Sequence, residues 1–438
     1  MKLPLIEPAN QLIFQNSKIR ILDNLAKKYY YTVPPLALGI LAGLTPRDWE
    51  VKIIQEPRDV VDYDEPSDLI GISAVTNTAK RGYDIARGFR SRGKKVVMGG
   101  IHPTALPDEA LQYCDSVCIG EAENIWDEIL DDFCKGELKR KYKAKESFDL
   151  KFYTSPRRDL MPDPKSYLFN PGSTIEASRG CPYDCDFCSV SLSHGKEIRY
   201  RHIDNIVPEM ETIGNNKIFF VDNNIIANFK YAKGLFREMI PLKKKWMGQA
   251  TISIIHDREL LKLAADSGCK GLLIGIESVT DEGFKQYKKS LGSYEELKDA
   301  IKILKEHDIG VLAHMVFGND FDFRQGIHKS LDRLMELDIA TATLGIVVPY
   351  PGTKLFENLN NHHRIITTDW NYYDIHHLVF KPLNFSISEF LEDMEMIRAQ
   401  FFSYASILKR VWNLGSAEVL GLNIHLRSHN KVGYELES

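Results

Sequence analysis

The chain has no run approaching 18 consecutive apolar residues, so no membrane-spanning helix is expected. It also lacks a strong charge imbalance. Lys and Arg number 56 against 60 Asp and Glu, a formal net charge of -4, which offers no global basic field to grip a nucleic-acid backbone. The opening MKLPLIEPANQLIF has neither the positive segment, the apolar core nor the small-residue cleavage site of a secretory signal, and predicts a cytoplasmic protein. Cysteine is scarce, 7 in 438 residues. An odd number with three packed closely together argues against a disulfide framework and for metal or catalytic use. No internal repeat or low-complexity tract stands out. What remains, 44% hydrophobic and 26% charged residues, is the composition of a globular protein, and the length calls for two or three units.

Residues 1–135 alternate apolar runs with helical patterns: LPLI, VPPLALGILAGL, WEVKIIQ, DLIGISA, a helix around Tyr83 to Arg90, KKVVMGG and DSVCIGE. Strands joined by crossover helices imply an α/β, doubly wound parallel sheet of Rossmann-like type. Ligands of such sheets settle at the carboxyl ends of strands, here Ser73 to Thr78, Gly99 to Pro103 and Gly120 to Glu123. Residues 136–172 break the pattern with a basic run, LKRKYKAK, and a proline-punctuated stretch. They read as a linker whose basic run is a solvated face rather than a phosphate-binding patch.

From 173 to 353 six strand-like segments recur, each followed by a helical pattern: STIEAS, KIFFVD, GQATISI, GLLIGIE, GVLAHMVF and TATLGIVVP. Six βα units fall short of the eight that close a TIM barrel, so an open, partial (β/α)6 barrel is expected, with its chemistry at the carboxyl ends of the strands. Residues 354–438 form a mainly helical C-terminal extension. It starts with the aromatic, histidine-rich DWNYYDIHHLVFKP. A long helix follows, with a capping-box spacing at Ser386 and Glu389 and an apolar face of Phe390, Met394, Ile397, Phe401 and Leu408.

The stretch Glu176-Ala-Ser-Arg-Gly-Cys181-Pro-Tyr-Asp-Cys185-Asp-Phe-Cys188 carries the chemistry. Three thiolates on one short loop suit three irons of a cubane, and soft sulfur ligands favour iron-sulfur chemistry. The fourth iron keeps an open position that can chelate the amino and carboxylate groups of S-adenosylmethionine (SAM). Zinc is the alternative, with His194 completing a Cys3His set; the second metal hook that zinc knuckles use is absent. Cys134 and Cys269 are expected to be buried small apolar residues, and Cys114 and Cys118 to be structural.

CxxxCxxC with an aromatic, Phe187, before the third cysteine resembles the radical SAM superfamily. The chain as a whole is similar to the subgroup with an N-terminal cobalamin (B12)-binding domain. VPPLALGILAGL, GISAVTNT, GGIHPTALPDEAL and CIGEAE carry the N-terminal likeness; SRGCPYDCDFC, FFVDNNI and GIES carry that of the barrel. PYPGTKLFENL and the aromatic tail resemble the branch with hopanoid C-methylases, and the subgroup also holds anaerobic tetrapyrrole cyclase-type enzymes.

The resemblance implies a [4Fe-4S] cluster on Cys181, Cys185 and Cys188, with SAM near Phe187, Asp222, Asn223, Asn224, Gln249, Glu277 and Ser278. For Asp222 and Glu277 a barrel-rim salt bridge is the plainer reading. Cobalamin is expected near Ser73, Thr76, Asn77, Thr78, Gly99 and Gly100, whose other reading is ordinary turn chemistry. The DxHxxG imidazole motif is missing; its nearest echo, Asp374-Ile-His376, lies in the wrong domain, and His102 reads as a loop residue.

The activity so implied is cobalamin-dependent methylation of an unactivated carbon by way of a 5'-deoxyadenosyl radical. A small or lipid-like molecule would be the substrate, and flavodoxin or ferredoxin the electron donor. The alternatives are oxidative cyclisation, C–C coupling or rearrangement, and a non-catalytic iron-sulfur or corrinoid sensor. Tyr350 to Thr353 with Trp370, Tyr372, Tyr373, His376 and His377 would line an apolar mouth or pack as core.

Overall fold

The computed structural model describes residues 1–10, 12, 33–56, 58–166, 171–287, 291–412 and 417–429. Residues 167–170 of the expected linker and 430–438 of the expected extension lie outside them. Apolar runs near the start form β1 (Lys2–Glu7), β2 (Glu50–Gln55), β3 (Leu69–Ser73), β4 (Lys95–Gly99) and β5 (Ser116–Ile119). With β6 (Lys141–Lys143) they make one parallel sheet in the order β2-β1-β3-β4-β5-β6. Helices Leu36–Leu44, Ala79–Arg90 and Trp126–Lys135 cover it. Leu5, Ile70, Val96 and Val117 are fully buried, as a parallel sheet covered on both faces requires.

The basic run LKRKYKAK is more than a solvated connector, because β6 lies within it. Tyr142 points inward and donates its hydroxyl to Asp132 at 2.8 Å, while Lys141 and Lys143 point out. A short strand edged with lysine is how a sheet margin avoids pairing with other chains.

The second sheet opens with β7 (Ser173–Ile175), followed by a two-residue antiparallel ladder of β8 (Ser178–Arg179) and β9 (Arg199–Tyr200). The remaining strands are β10 (Lys217–Phe220), β11 (Lys245–Ala250), β12 (Cys269–Glu277), β13 (Gly310–Phe317) and β14 (Thr341–Ile346). These six strands, β8 and β9 apart, join through five parallel pairings in the order β14-β13-β12-β11-β10-β7, the open barrel expected from six βα units. Side-chain caps start the helices between strands: Asn228 accepts from the Tyr231 N–H, Asp257 from Leu260 and Ser293 from Glu296.

Helix Ile387–Phe401 begins with the Ser386–Glu389 capping box and buries Phe390, Met394, Ile397 and Phe401 completely. Each such side chain contributes roughly 1.5–3 kcal/mol when taken from water. The apolar face does not reach Leu408. The helix stops at Phe402, a new one spans Tyr404–Trp412, and Leu408 is 57% exposed. Among the described residues no helix is long and apolar enough to cross a membrane.

Candidate functional site

The cysteine loop hangs between β8 and β9 at the carboxyl end of β7. Asp222, just beyond β10 and buried, accepts from the N–H groups of Ala177 and Ser178 and from the Ser178 hydroxyl at 2.6 Å. Burial pushes its carboxyl up to about 7 against the lowering effect of these bonds. Gly180 takes φ +98°, and a Cβ there would overlap the Glu197 carbonyl oxygen, so the residue before Cys181 must be glycine. Past the turn, the Cys188 N–H donates to the Cys185 carbonyl at 3.1 Å. The loop is tied down by Leu355 N–H to Asp186 O at 3.0 Å and by Asp184 between Lys354 and Lys196, at 2.7 and 3.0 Å.

Cys181, Cys185 and Cys188 are half-buried and none is in a disulfide. Phe187 meets Tyr287 edge-on at 6.1 Å. Burial raises the phenols of Tyr287 and Tyr350. Cys269 is buried, as expected, and Cys114 and Cys118, read as structural, are buried too. Cys134 is exposed instead, because helix Trp126–Lys135 turns Trp126, Ile129 and Leu130 to the sheet and Cys134 to solvent.

Among the described residues no three His, Cys, Asp or Glu side chains converge on a single ion. His194 stands with a different set of groups. Burial, then the Arg179 charge, holds its imidazole down at about 4, and it lines the interdomain cavity beside Arg179. The donor set on the loop is therefore three sulfurs without an imidazole. Such a donor set would suit an iron-sulfur cubane with one iron left open.

That cavity, about 420 Å³, lies between the carboxyl edge of the first sheet and the start of the cysteine loop. Its floor includes Leu5, Ser73, Gly99, Gly100 and Gly120; Glu176, Arg179, Ser193 and His194 form the facing wall. Gly100 has φ +101°, and a Cβ on it would collide with the Ala74 backbone, so its need for glycine comes from the chain itself. Thr76, Asn77 and Thr78 form a short turn outside the lining, where Thr78 Oγ1 accepts from the Val75 N–H. His102 is fully buried, 3.0 Å from the Tyr83 hydroxyl and edge-on to Trp370. The mostly apolar floor, glycine-rich at two strand ends, suits the face of a corrinoid, and among the described residues His102 is not part of the lining.

At the barrel strand ends, Asn224 Oδ1 accepts from the Ile226 N–H, and the Ser278 hydroxyl bonds Thr280 within a turn. Gln249 is exposed on β11. Glu277 sits at φ 65° beside a bulge between β12 and β13, backbone strain of the kind found at functional sites. Trp370 and Tyr373 are buried, and Trp370 donates to Glu109 of the first domain at 2.8 Å, so these two aromatics pack as core. Sequence reasoning missed Thr104, the helix Leu36–Leu44 and His194 as cavity lining. Thr104 stands on the short helix Ile101–Ala105 after β4, just beyond the Gly99 to Pro103 stretch expected to rim a pocket.

The Radical SAM superfamily model matches residues 175–328, and the B12 binding domain model residues 24–130. Bacteriochlorophyllide d C-12(1)-methyltransferase of Chlorobaculum tepidum is 30% identical over 390 residues, covering 86% of this chain and 84% of that protein. The same organism's bacteriochlorophyllide d C-8(2)-methyltransferase is 28% identical over 375 residues, covering 79% and 80%. Among solved structures, the radical S-adenosylmethionine methyltransferase TsrM from Kitasatospora setae is similar in fold, with TM-score 0.66 and 18% identity over 84% of this chain and 77% of that one.

Proposed function

Because the chain belongs to the radical SAM superfamily, in the subgroup that also carries a B12-binding domain, we propose that it methylates an unactivated carbon, with Cys181, Cys185 and Cys188 holding the cluster. Its cofactors are a [4Fe-4S] cluster, SAM and cobalamin. When bound, these groups supply a 5'-deoxyadenosyl radical and a transferable methyl group. The protein supplies position and exclusion of water. Tyr287 packs edge-on against Phe187 of the cluster loop, and Asp222 braces the backbone leading into it. Asn223, Asn224, Gln249, Glu277 and Ser278, at the ends of adjacent strands, surround SAM. Ser73, Gly99 and Gly100 take the corrinoid face, with Thr76, Asn77 and Thr78 at the rim. No protein imidazole is assigned to cobalt.

One observation carries this reading: the cavity at the edge of the first sheet is walled by Glu176 and Arg179, the residues that lead into the cysteine loop. A corrinoid held in that cavity would face the start of the cluster loop, as a reaction that uses both cofactors requires. Methylation is the reaction of the two Chlorobaculum relatives, which are bacteriochlorophyllide d methyltransferases. For this chain we assign a large apolar substrate of tetrapyrrole or lipid-like type, a flavodoxin or ferredoxin as electron donor, and a cytoplasmic setting. Reconstituted enzyme with reductant, SAM and a candidate tetrapyrrole should give a product heavier by one methylene together with 5'-deoxyadenosine. A product lighter by hydrogens would establish oxidative cyclisation instead.

A further inference from the structure

The ladder that closes the cysteine loop sets two arginines directly opposite each other, Arg179 on β8 and Arg199 on β9. Like charges across an antiparallel pair oppose pairing, and here both side chains are largely buried. The other domain provides a counter-charge to both. Glu121, in the loop after β5, accepts from Arg179 Nη1 at 3.0 Å and from Arg199 Nη1 and Nη2 at 2.7 and 2.9 Å. It also accepts the Phe148 N–H at 2.7 Å. Arg179 is held besides by Glu176 at 2.7 Å and Glu123 at 2.8 Å. Arg199 has no other carboxylate among its described partners; its remaining bonds go to the Phe148 and His194 carbonyls.

We infer that Glu121 is a positioning residue which, from the cobalamin side of the interface, clasps the two arginines at the neck of the cluster loop and so keeps the loop closed around its cluster. The inference rests on the cluster assignment above. Gly180 alone separates Arg179 from Cys181, so opening of the ladder is passed directly to the first sulfur. Arg199 grips Glu121 with two charge-assisted bonds and Arg179 adds a third, so one carboxylate joins both strands of the ladder to the first sheet. Glu121 also lines the cavity, so cobalamin seated there would press on the same loop that holds the clasp.

The test uses anaerobically reconstituted full-length protein and measures iron loss to a ferrous chelator, without any turnover. Glu121→Gln should lose iron about tenfold faster than wild type, the scale at which outer-shell partners affect metal affinity. Adding Arg199→Gln to that variant removes one of the opposed charges and should bring the rate back to within about threefold of wild type. A residue needed only for packing would show no such rescue. If Glu121→Gln fails to fold, recovery of folded, iron-bearing protein in the double variant supports the clasp, and equal insolubility of both overturns it. An unchanged rate in Glu121→Gln, or a double variant leakier than the single one, also overturns it. Wild-type protein that takes up no cluster at all would instead contradict the cysteine assignment, a different result in the same assay.

Discussion

The Asp222 carboxylate accepts the Ser178 hydroxyl at 2.6 Å and binds the backbone of the residues just before the cysteine turn. It is buried without a cationic partner among its described bonds, and burial lifts its pKa from 3.8 to about 7. A native acid that titrates above its unfolded value binds more protons folded than unfolded between the two values. Its contribution is therefore fully present below about pH 4 and is lost as pH rises through about 7. Urea unfolding of the cluster-free chain should show Asp222→Asn gaining on wild type as pH increases from 5 to 8. The scale is about 1.4 kcal/mol per unit of pKa separation. Parallel stability curves for the two proteins would refute this.

Gly180→Ala should disable the loop without touching a sulfur. The added Cβ meets the Glu197 carbonyl, and φ +98° strains any L side chain. A cost of about 1–3 kcal/mol is expected from the backbone alone. Iron content after reconstitution should fall while the circular dichroism of the remaining chain holds; full iron loading would count against the geometry.

Thiol reactivity separates the cysteines. Burial pushes Cys114 and Cys118 up to about 12 and raises Cys269 further, and the thiolate is the reactive form. Brief alkylation of cluster-free protein at pH 8 should label Cys134, Cys181, Cys185 and Cys188 and spare the three buried thiols. Peptide mass mapping checks it, and early labelling of Cys269 would contradict the packing.

Much of this was legible in local pattern. The strand runs, the capping box at Ser386 and the cysteine spacing are each written within a few residues, and each appears in the fold. Features that depend on distant partners were not. The opposed Arg179 and Arg199 are neutralised by a carboxylate 58 and 78 positions away, which leaves no periodic signal. β6 has only three residues and one inward side chain, too little for alternation to register. The break at Phe402 interrupts a pattern that continues in the sequence, so Leu408 looked like part of a face that had already ended. Asp222 was expected to meet SAM or close a rim salt bridge; its bonds to Ala177 and Ser178 give it a bracing role that no motif reveals.

The cavity can be narrowed without unfolding the first sheet. A Cβ on Gly99 would meet only Cys118, at an ordinary 3.5 Å, so Gly99→Val should fold and crowd the proposed corrinoid face. Overpacking of this kind costs about 1–3 kcal/mol. Hydroxocobalamin affinity, followed by its visible spectrum, should weaken roughly tenfold with iron loading unchanged. Equal affinity would move cobalamin away from this edge.

The most direct measurement is a metal count on purified chain reconstituted anaerobically with iron, sulfide and hydroxocobalamin, beside its Cys188→Ser variant. Wild type should hold about four irons in a cubane together with one corrinoid, and the variant should lose the cluster and all formation of 5'-deoxyadenosine while keeping the corrinoid. Zinc in place of iron, or nucleoside release undiminished by the serine, would contradict the account.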